Sequence, residues 1–436
     1  MIRGLSFVIC ILVSFSVSAM AENWPGWRGP RGDGTSAEMQ VPVEWNAETG
    51  EGVAWKVEIP GTGHSSPIVW DESIFLTTCV EDSHERLLLC FSRKDGSIRW
   101  KESVVVSPLE TKHSLNSFAS GTPATDGQTV YATFLMIDGH EVPAPNVGTP
   151  RSVTPGQMLV VAYDMNGQKL WTAEPGKFTS AHGFCSSPVI YKHLLIVNGD
   201  HDGDSYVAAL NRETGELVWK VPREYKTRSY CTPLIRTING HDQMVMTGSK
   251  RIVSLDPLTG ATNWLIEGPT EQFVSSMVCD GNAFYMTAGF PTHHVMAIRP
   301  DGSGDVTQTH VLWQSEAAKC YVPSPVVVSD KLMVADDRGT VNCFDTAQGT
   351  RLWQERLGNH YSGSLVTANG LVYFPADDGV MAVVRPDTKL NVVHSNPLGE
   401  YSYASPAISN GQIFIRGEKH LFAIGTKSMD SGVESR

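Results

Sequence analysis

Short apolar runs with period-two alternation follow one another from Ser65 towards the C-terminus, and no window sustains the period of an amphipathic helix. Leu332 to Ala335, Leu371 to Pro375 and Ile413 to Arg416 are examples. Tight-turn signals bound these runs. Asp126-Gly127, Asp280-Gly281, Asn369-Gly370 and Asn410-Gly411 fall between a first and a second strand, where a two-residue hairpin needs residues that accept positive φ. Asp95-Gly96, Asn166-Gly167, Thr214-Gly215, Thr259-Gly260 and Gln348-Gly349 fall between a third and a fourth. The unit so built recurs eight times, opening at Ser66-Pro67, Thr122-Pro123, Ser187-Pro188, Thr232-Pro233, Ser276-Met277, Ser324-Pro325, Ser364-Leu365 and Ser405-Pro406. Every opening keeps a hydroxyl. The spacings are 56, 65, 45, 44, 48, 40 and 41 residues, the period of a four-stranded propeller blade rather than of a helical solenoid.

Fourth strands close on Trp100, Trp171, Trp219, Trp264, Trp313 and Trp353, with Val392 or Val393 in the seventh slot. Trp55 has no third strand before it, and the last unit stops after its third strand at His420 to Gly425. These two defects complement each other. The pattern predicts an all-β, eight-bladed propeller of four-stranded antiparallel blades, its ring closed by the Trp55 strand pairing with the last blade. The expected division is a signal peptide over 1–21, an extended N-terminal wrap over 22–50, the propeller over 51–425 and a disordered tail over 426–436. Two insertions, 103–120 and 136–157, lengthen connections that emerge on one face, where binding loops usually gather.

Ala209 to Trp219 is the fullest copy of the third-strand motif: small residue, apolar residue, Asp or Asn, then a polar residue, Gly, and Trp four positions on. Ser254 to Trp264 and Cys343 to Trp353 follow it. In this the chain resembles the pyrroloquinoline quinone (PQQ) repeat superfamily, whose quinoprotein alcohol dehydrogenases and outer-membrane assembly propellers carry the same tryptophan-docking motif. The resemblance covers about residues 50 to 425. The leader Trp24-Pro25-Gly26-Trp27-Arg28-Gly29-Pro30 also looks like that of exported PQQ-repeat proteins. For the dehydrogenases the resemblance implies PQQ in the central funnel with a calcium or lanthanide ion and an Asp general base, and in several an adjacent Cys-Cys disulfide. This chain has no Cys-Cys pair, and no position matches the family's ligating Glu and Asn or its catalytic Asp.

Arg3, the apolar stretch Leu5 to Val17 and Ala19-Met20-Ala21 have the form of a secretory signal, which predicts a periplasmic or secreted protein. No small-residue lipobox precedes Cys10, so no lipid anchor is expected, and no later stretch is apolar enough to span a bilayer. Loss of Arg3 takes the net charge from −12 to −13, which argues against nucleic acid or an anionic membrane as partner. Seven cysteines remain after cleavage, an odd number that leaves at least one thiol unpaired within the chain. There is no Cys-x-x-Cys-His site for covalent haem.

Residues just ahead of each opening are rich in aromatic, His and Arg side chains and differ from blade to blade. They are His64, Phe118, His182, Phe184, Arg228, Tyr230, Phe273, Tyr321, His360, Tyr361, Tyr401 and Tyr403. A funnel lined by them could hold a planar anionic ligand by stacking and a guanidinium–carboxylate pair; alternatively the rings plug a wide axis. Asp200, Asp202 and Asp204 alternate as calcium ligands do, without the glycine and distal glutamate of an EF-hand loop. The expected function is a scaffold binding a protein, a small molecule or a glycan. The alternative is a PQQ-dependent dehydrogenase oxidising an alcohol or sugar with an external electron acceptor.

Overall fold

A computed structural model describes residues 22–145 and 147–426. The signal-peptide reading, and the tail reading beyond residue 426, lie outside the described residues. Eight antiparallel sheets, numbered here as blades 1 to 8 in the order of their openings, form the ring that the repeat predicts. Blade 1 is typical, with strands Ile68–Trp70, Ser73–Val80, Glu85–Ser92 and Ile98–Val106 running outward from the axis. Blade 8 joins the chain ends: Val53–Glu58 pairs antiparallel with His420–Ile424, placing Trp55 opposite Ala423. Among the described residues no helix is long and apolar enough to cross a membrane.

The alternation read from the sequence has a different meaning for inner and outer strands. Second and third strands are buried on both faces, so their alternation selects which neighbouring blade each side chain meets. Leu332 and Val334 pack towards blade 5, whereas Met333 and Ala335 pack towards blade 7. Only outer strands alternate between core and water, as in Val311–Ser315. Burial of aliphatic side chains between blades, at about 25 cal/mol per Å² of apolar area, is the main stabilising term.

Each docking tryptophan crosses to the next blade. The Nε1–H of Trp55, Trp100, Trp171, Trp313 and Trp353 donates to the backbone carbonyls of Arg93, Met165, Arg212, Thr346 and Asp387 at 2.8–3.1 Å. A Cβ on Gly215 would lie 2.7 Å from the Trp171 ring, and the Gly215 φ is +76°, so the motif's glycine serves both the turn and the indole that covers it. Trp219 Nε1 finds no acceptor, and Trp264 turns to the Gln243 side chain of its own blade.

One irregularity escaped the sequence pattern. Blade 4 carries a fifth strand, Gly304–Asp305, parallel to Trp264 and Leu265. It comes from residues 299–310, which replace the short hairpin between Ile298 and Val311 in blade 5. The sequence signal is Pro300-Asp301-Gly302, which does not fit the two-residue turn at that slot.

The repeated hydroxyls form a belt. Backbone N–H groups of Ser66, Thr122, Thr232, Ser276, Ser324, Ser364 and Ser405 donate at 2.7–3.1 Å to the hydroxyls of Thr122, Ser187, Ser276, Ser324, Ser364, Ser405 and Ser66 respectively. Seven of eight blade junctions are thus stitched in a circle. At the remaining one, from Ser187 to Thr232, Asn198 Nδ2 donates instead to the Cys231 carbonyl at 2.9 Å. First strands start at the axis, where their first N–H lacks a ladder partner. The neighbour's hydroxyl supplies one, which accounts for the Ser or Thr at seven of the eight openings, Thr232 being the exception.

Residues 24 to 36 cross the ring on the side of the first hairpins. Trp24 exchanges backbone bonds with Val69, Pro25 accepts from Thr125, and Ser36 donates to Thr367. Arg28 is 1% exposed, and its guanidinium donates to the carbonyls of Asp33, Ser324, Pro325 and Leu365. Asp33 in turn pairs with Arg236 of blade 4 at 2.5 Å. This segment ties blades 1, 2, 4, 6 and 7 together and brings Trp27 into the axial cavity.

Candidate functional site: the central funnel

The axial cavity holds about 370 Å³. Its wall obeys a simple count. All eight residues two positions before an opening line it: His64, Ser120, Cys185, Tyr230, Val274, Val322, Ser362 and Tyr403. Six of the opening hydroxyls line it as well. In extended backbone alternate residues share a face, so the position between these two points away from the axis into a blade.

The twelve sequence candidates divide between the cavity and the blades, and the count explains His64, Tyr230 and Tyr403 but not Tyr321, three positions before Ser324. His64, His182, Tyr230, Tyr321, His360 and Tyr403 line the cavity. Phe184, Phe273 and Tyr361, three positions before an opening, are buried in core clusters between blades. Phe118 packs against the blade 1–2 core under Arg86 and Lys112. Arg228 is buried and pairs with Asp202 at 2.6 Å. Tyr401 is 55% exposed and stacks on Tyr403, with centroids 6.3 Å apart.

Sequence reasoning missed Ser120, Cys185, Val274, Val322 and Ser362 in the repeat slots, and it missed a second group from the insertion, the N-terminal segment and a turn. His113, Leu115 and Asn116 reach the cavity from the 103–120 insertion, Trp27 from the N-terminal segment and Asp337 from a blade 6 turn. The insertion is anchored by a buried Arg86–Glu110 ion pair at 2.6 Å and by Thr111 N–H donating to Thr154 Oγ1 of the second insertion at 2.8 Å. It then lies over blade 3, where Asn116 Nδ2 donates to the His182 carbonyl at 2.8 Å and the His113 and His182 rings meet edge to face at 5.4 Å. The insertion's length was its only legible signal.

Electrostatically the funnel splits in two. Burial, reinforced by the Arg416 and Lys112 charges, pushes His64 down to about 4. Burial, with Arg228, pushes His182 down to about 3. Both are neutral at ordinary pH. His360 is raised, because its Nδ1 meets Asp377 at 2.6 Å, and Ser362 Oγ donates to the same Asp377 oxygen at 2.8 Å. Burial pushes the Asp337 carboxyl up, against the pull of backbone N–H bonds from Val322 and Tyr321. Burial likewise raises Tyr321 to about 12. Its hydroxyl donates to Gln272 at 3.2 Å.

The calcium-loop reading of Asp200, Asp202 and Asp204 is corrected by the geometry. The first two are buried against Arg223 at 3.0 Å and Arg228 at 2.6 Å, and the third faces solvent beside Lys226 at 2.7 Å. Each carboxylate is committed to a cation of the link from blade 3 to blade 4, so the three do not converge. Among the described residues no three His, Cys, Asp or Glu side chains gather as a metal cage would. The funnel's carboxylates also fail as a calcium site, which wants six to eight oxygens, because Asp337 is held by backbone donors and Asp377 by His360 and Ser362. The donor set therefore does not fit the metal–PQQ centre implied by the dehydrogenase resemblance. The described cysteines are all free thiols, with Cys90 and Cys343 filling inter-blade cores.

A closed eight-bladed ring with tryptophan docking, crossed on one side by its own N-terminal segment, is a propeller of the PQQ-repeat class. Matches over residues 36–144, 138–283 and 303–428 show that the chain belongs to the family described as outer membrane protein assembly factor BamB. It is 22% identical over 318 residues to the assembly factor BamB of Yersinia pestis, spanning 71% of this chain and 67% of that protein. Other curated relatives of that name are matched over 32% and 48% of their lengths. The crystal structure of BamB from Moraxella catarrhalis superposes with a TM-score of 0.58 at 13% identity, covering 85% of this chain and 99% of that one. A europium-containing methanol dehydrogenase superposes with a TM-score of 0.53 at 11% identity, covering 92% and 90%. At such identities the structural likeness speaks for the fold alone.

Proposed function

We propose that this chain is an exported scaffold that takes an extended segment of a partner protein into the mouth of its funnel, in the periplasm or outside the cell. The observation that carries this reading is the lining of the axial cavity. Trp27 lies within it, and Tyr230, Tyr321, Tyr403, His64 and His182 offer ring faces edged by hydroxyls. Such a lining buries apolar side chains and still meets backbone polar groups. Membership of a family named for assembly factors supports a protein partner.

Selection of short peptides from a random library on the purified mature protein, followed by calorimetry, tests the reading. Tyr230→Ala and Tyr403→Ala should each weaken the selected peptides by about tenfold, the loss of one buried aromatic contact. Peptides that bind undiminished to both variants would place recognition elsewhere and overturn it. A titration with PQQ, with and without calcium, read by quenching of tryptophan fluorescence, is the counter-test. Saturable, calcium-dependent quenching would replace the scaffold with a quinoprotein dehydrogenase.

A further inference from the structure

Arg416 ends the second strand of blade 8, at the junction where the ring closes, and is 1% exposed. Its Nη1 donates to Ser65 Oγ and the Thr77 carbonyl, each at 2.7 Å, and to the Ser65 carbonyl at 3.3 Å. Its Nε and Nη2 have no partner. Arg28, equally buried, spreads its charge over four carbonyls, whereas Arg86, Arg223 and Arg228 each meet a carboxylate within 3.0 Å. Arg416 meets none, and burial alone pushes it down to about 9. An uncompensated buried cation is costly, and a site that keeps one has a use for an anion.

Arg416 lines a second cavity, of about 230 Å³, together with Lys112, Ser114, Ser117, His64 and Tyr403. His64, Leu115, Asn116 and Tyr403 also line the funnel, so the two cavities adjoin. A Cβ on Gly63 would fall 2.7 Å from Nη2, so any larger residue there would press on that edge of the guanidinium. Two acids stand on the wall, Glu81, which accepts from Thr62 Oγ1 at 2.7 Å, and Glu418. Neither pairs with Arg416.

We infer that Arg416 and Lys112 form a carboxylate site at the funnel mouth, which captures the chain end or an acidic side chain of the peptide that the funnel binds. The inference rests on the peptide-binding reading. The free edge of Arg416, Nε with Nη2, is the fork that takes a carboxylate side-on, and Lys112 adds a second positive charge. His64 lies beside both, its depressed pKa a local gauge of their charge.

Three acetylated Gly-Phe-Tyr-Gly peptides separate the possibilities: the free acid, its C-terminal amide, and an amide with Asp in the last position. The free acid or the Asp peptide should bind at least about tenfold tighter than the plain amide, as a charge-assisted hydrogen bond gives, and whichever does so names the source of the carboxylate. R416Q should abolish that preference, and R416K should keep only part of it. K112A, which leaves the Arg416 contacts intact, should reduce it if folding of the Arg416 variants fails. Equal binding of all three peptides, each weakened by Y403A, would overturn the carboxylate site while the peptide reading stood. If no peptide binds, acetate decides: a rise in the His64 pKa by NMR in the wild type but not in R416Q keeps the site and sinks the peptide reading. No movement of His64 sinks the site.

Discussion

The hydroxyl belt contains its own control. Thr122 is 2% exposed and accepts the Ser66 N–H at 2.9 Å, whereas no backbone N–H of the neighbouring blade reaches the Thr232 hydroxyl. Thr→Val is nearly isosteric at both sites, so shape is held constant and the hydrogen bond alone differs. Thr122→Val leaves a buried amide of blade 1 without an acceptor, which costs about 1–3 kcal/mol. Thr232→Val removes a half-buried hydroxyl that holds no such amide and should cost less than about 0.5 kcal/mol. A folded span of about 400 residues has an unfolding entropy on the order of 0.8 kcal/mol/K, so about 2 kcal/mol lowers Tm by about 2–3 °C. Differential scanning calorimetry at one scan rate should find that drop for Thr122→Val and almost none for Thr232→Val. Hydrogen exchange should rise at the Ser66 amide in the first variant only. Equal Tm shifts, or an unchanged Ser66 amide, would refute the claim that the repeat keeps its hydroxyls for inter-blade bonding.

Arg28→Met should lower stability by about 3 kcal/mol, because four buried carbonyls lose a charged donor and aliphatic packing replaces little of it; urea denaturation checks this. Gly215→Ala should cost about 2 kcal/mol in the same assay, from a left-handed φ and a contact 2.7 Å from the Trp171 ring, and a neutral result would remove the reason given for the motif's glycine. The pH dependence has two components of opposite sign. His64, His182 and His201 are depressed to about 4, 3 and 4, so the unfolded chain takes protons that the folded chain refuses. Their contribution is full above about pH 6.5 and is lost as pH falls from there towards 4. His360 is raised by Asp377, so its contribution is present below about pH 6.5 and fades as pH rises through its folded value. The raised Glu110, Asp200, Asp202 and Asp337 carboxyls add to this second component, so the imidazole part is read by difference: His64→Gln should lessen the gain in urea midpoint from pH 4 to 7, and an unchanged profile would contradict the burial of that imidazole.

The blade count and the tryptophan docking were legible because each rests on a local requirement that recurs in nearly every repeat. A turn needs its glycine, an indole needs a flat partner, and a first strand needs an acceptor at the axis. Eight copies of the same demand leave a period in the sequence. The closure at Trp55 was legible for the same reason, as a missing fourth strand at one end and a surplus one at the other.

The candidate site was half legible. Period-two alternation already separates Tyr230 and Tyr403, two positions before an opening, from Phe273 and Tyr361, three positions before. Applied to every blade, it names eight axial residues but not Tyr321, three positions before Ser324, nor His182 and His360, which reach the cavity from further back along the link. No window of sequence could have supplied Trp27, His113 or Asn116, since these belong to no repeat slot and meet the axis only once the ring has closed. The same holds for the Asp200, Asp202 and Asp204 pattern, whose carboxylates are taken up by Arg223, Arg228 and Lys226. It holds most of all for Arg416. An arginine ending a strand reads as an ordinary surface cation until the closed ring buries it beside Ser65 and Thr77 and brings no carboxylate to it. Sequence determined the architecture because repetition writes local physics many times over, whereas tertiary structure alone decided which unrepeated side chains share the axis, because their meeting depends on closure across more than three hundred residues of chain.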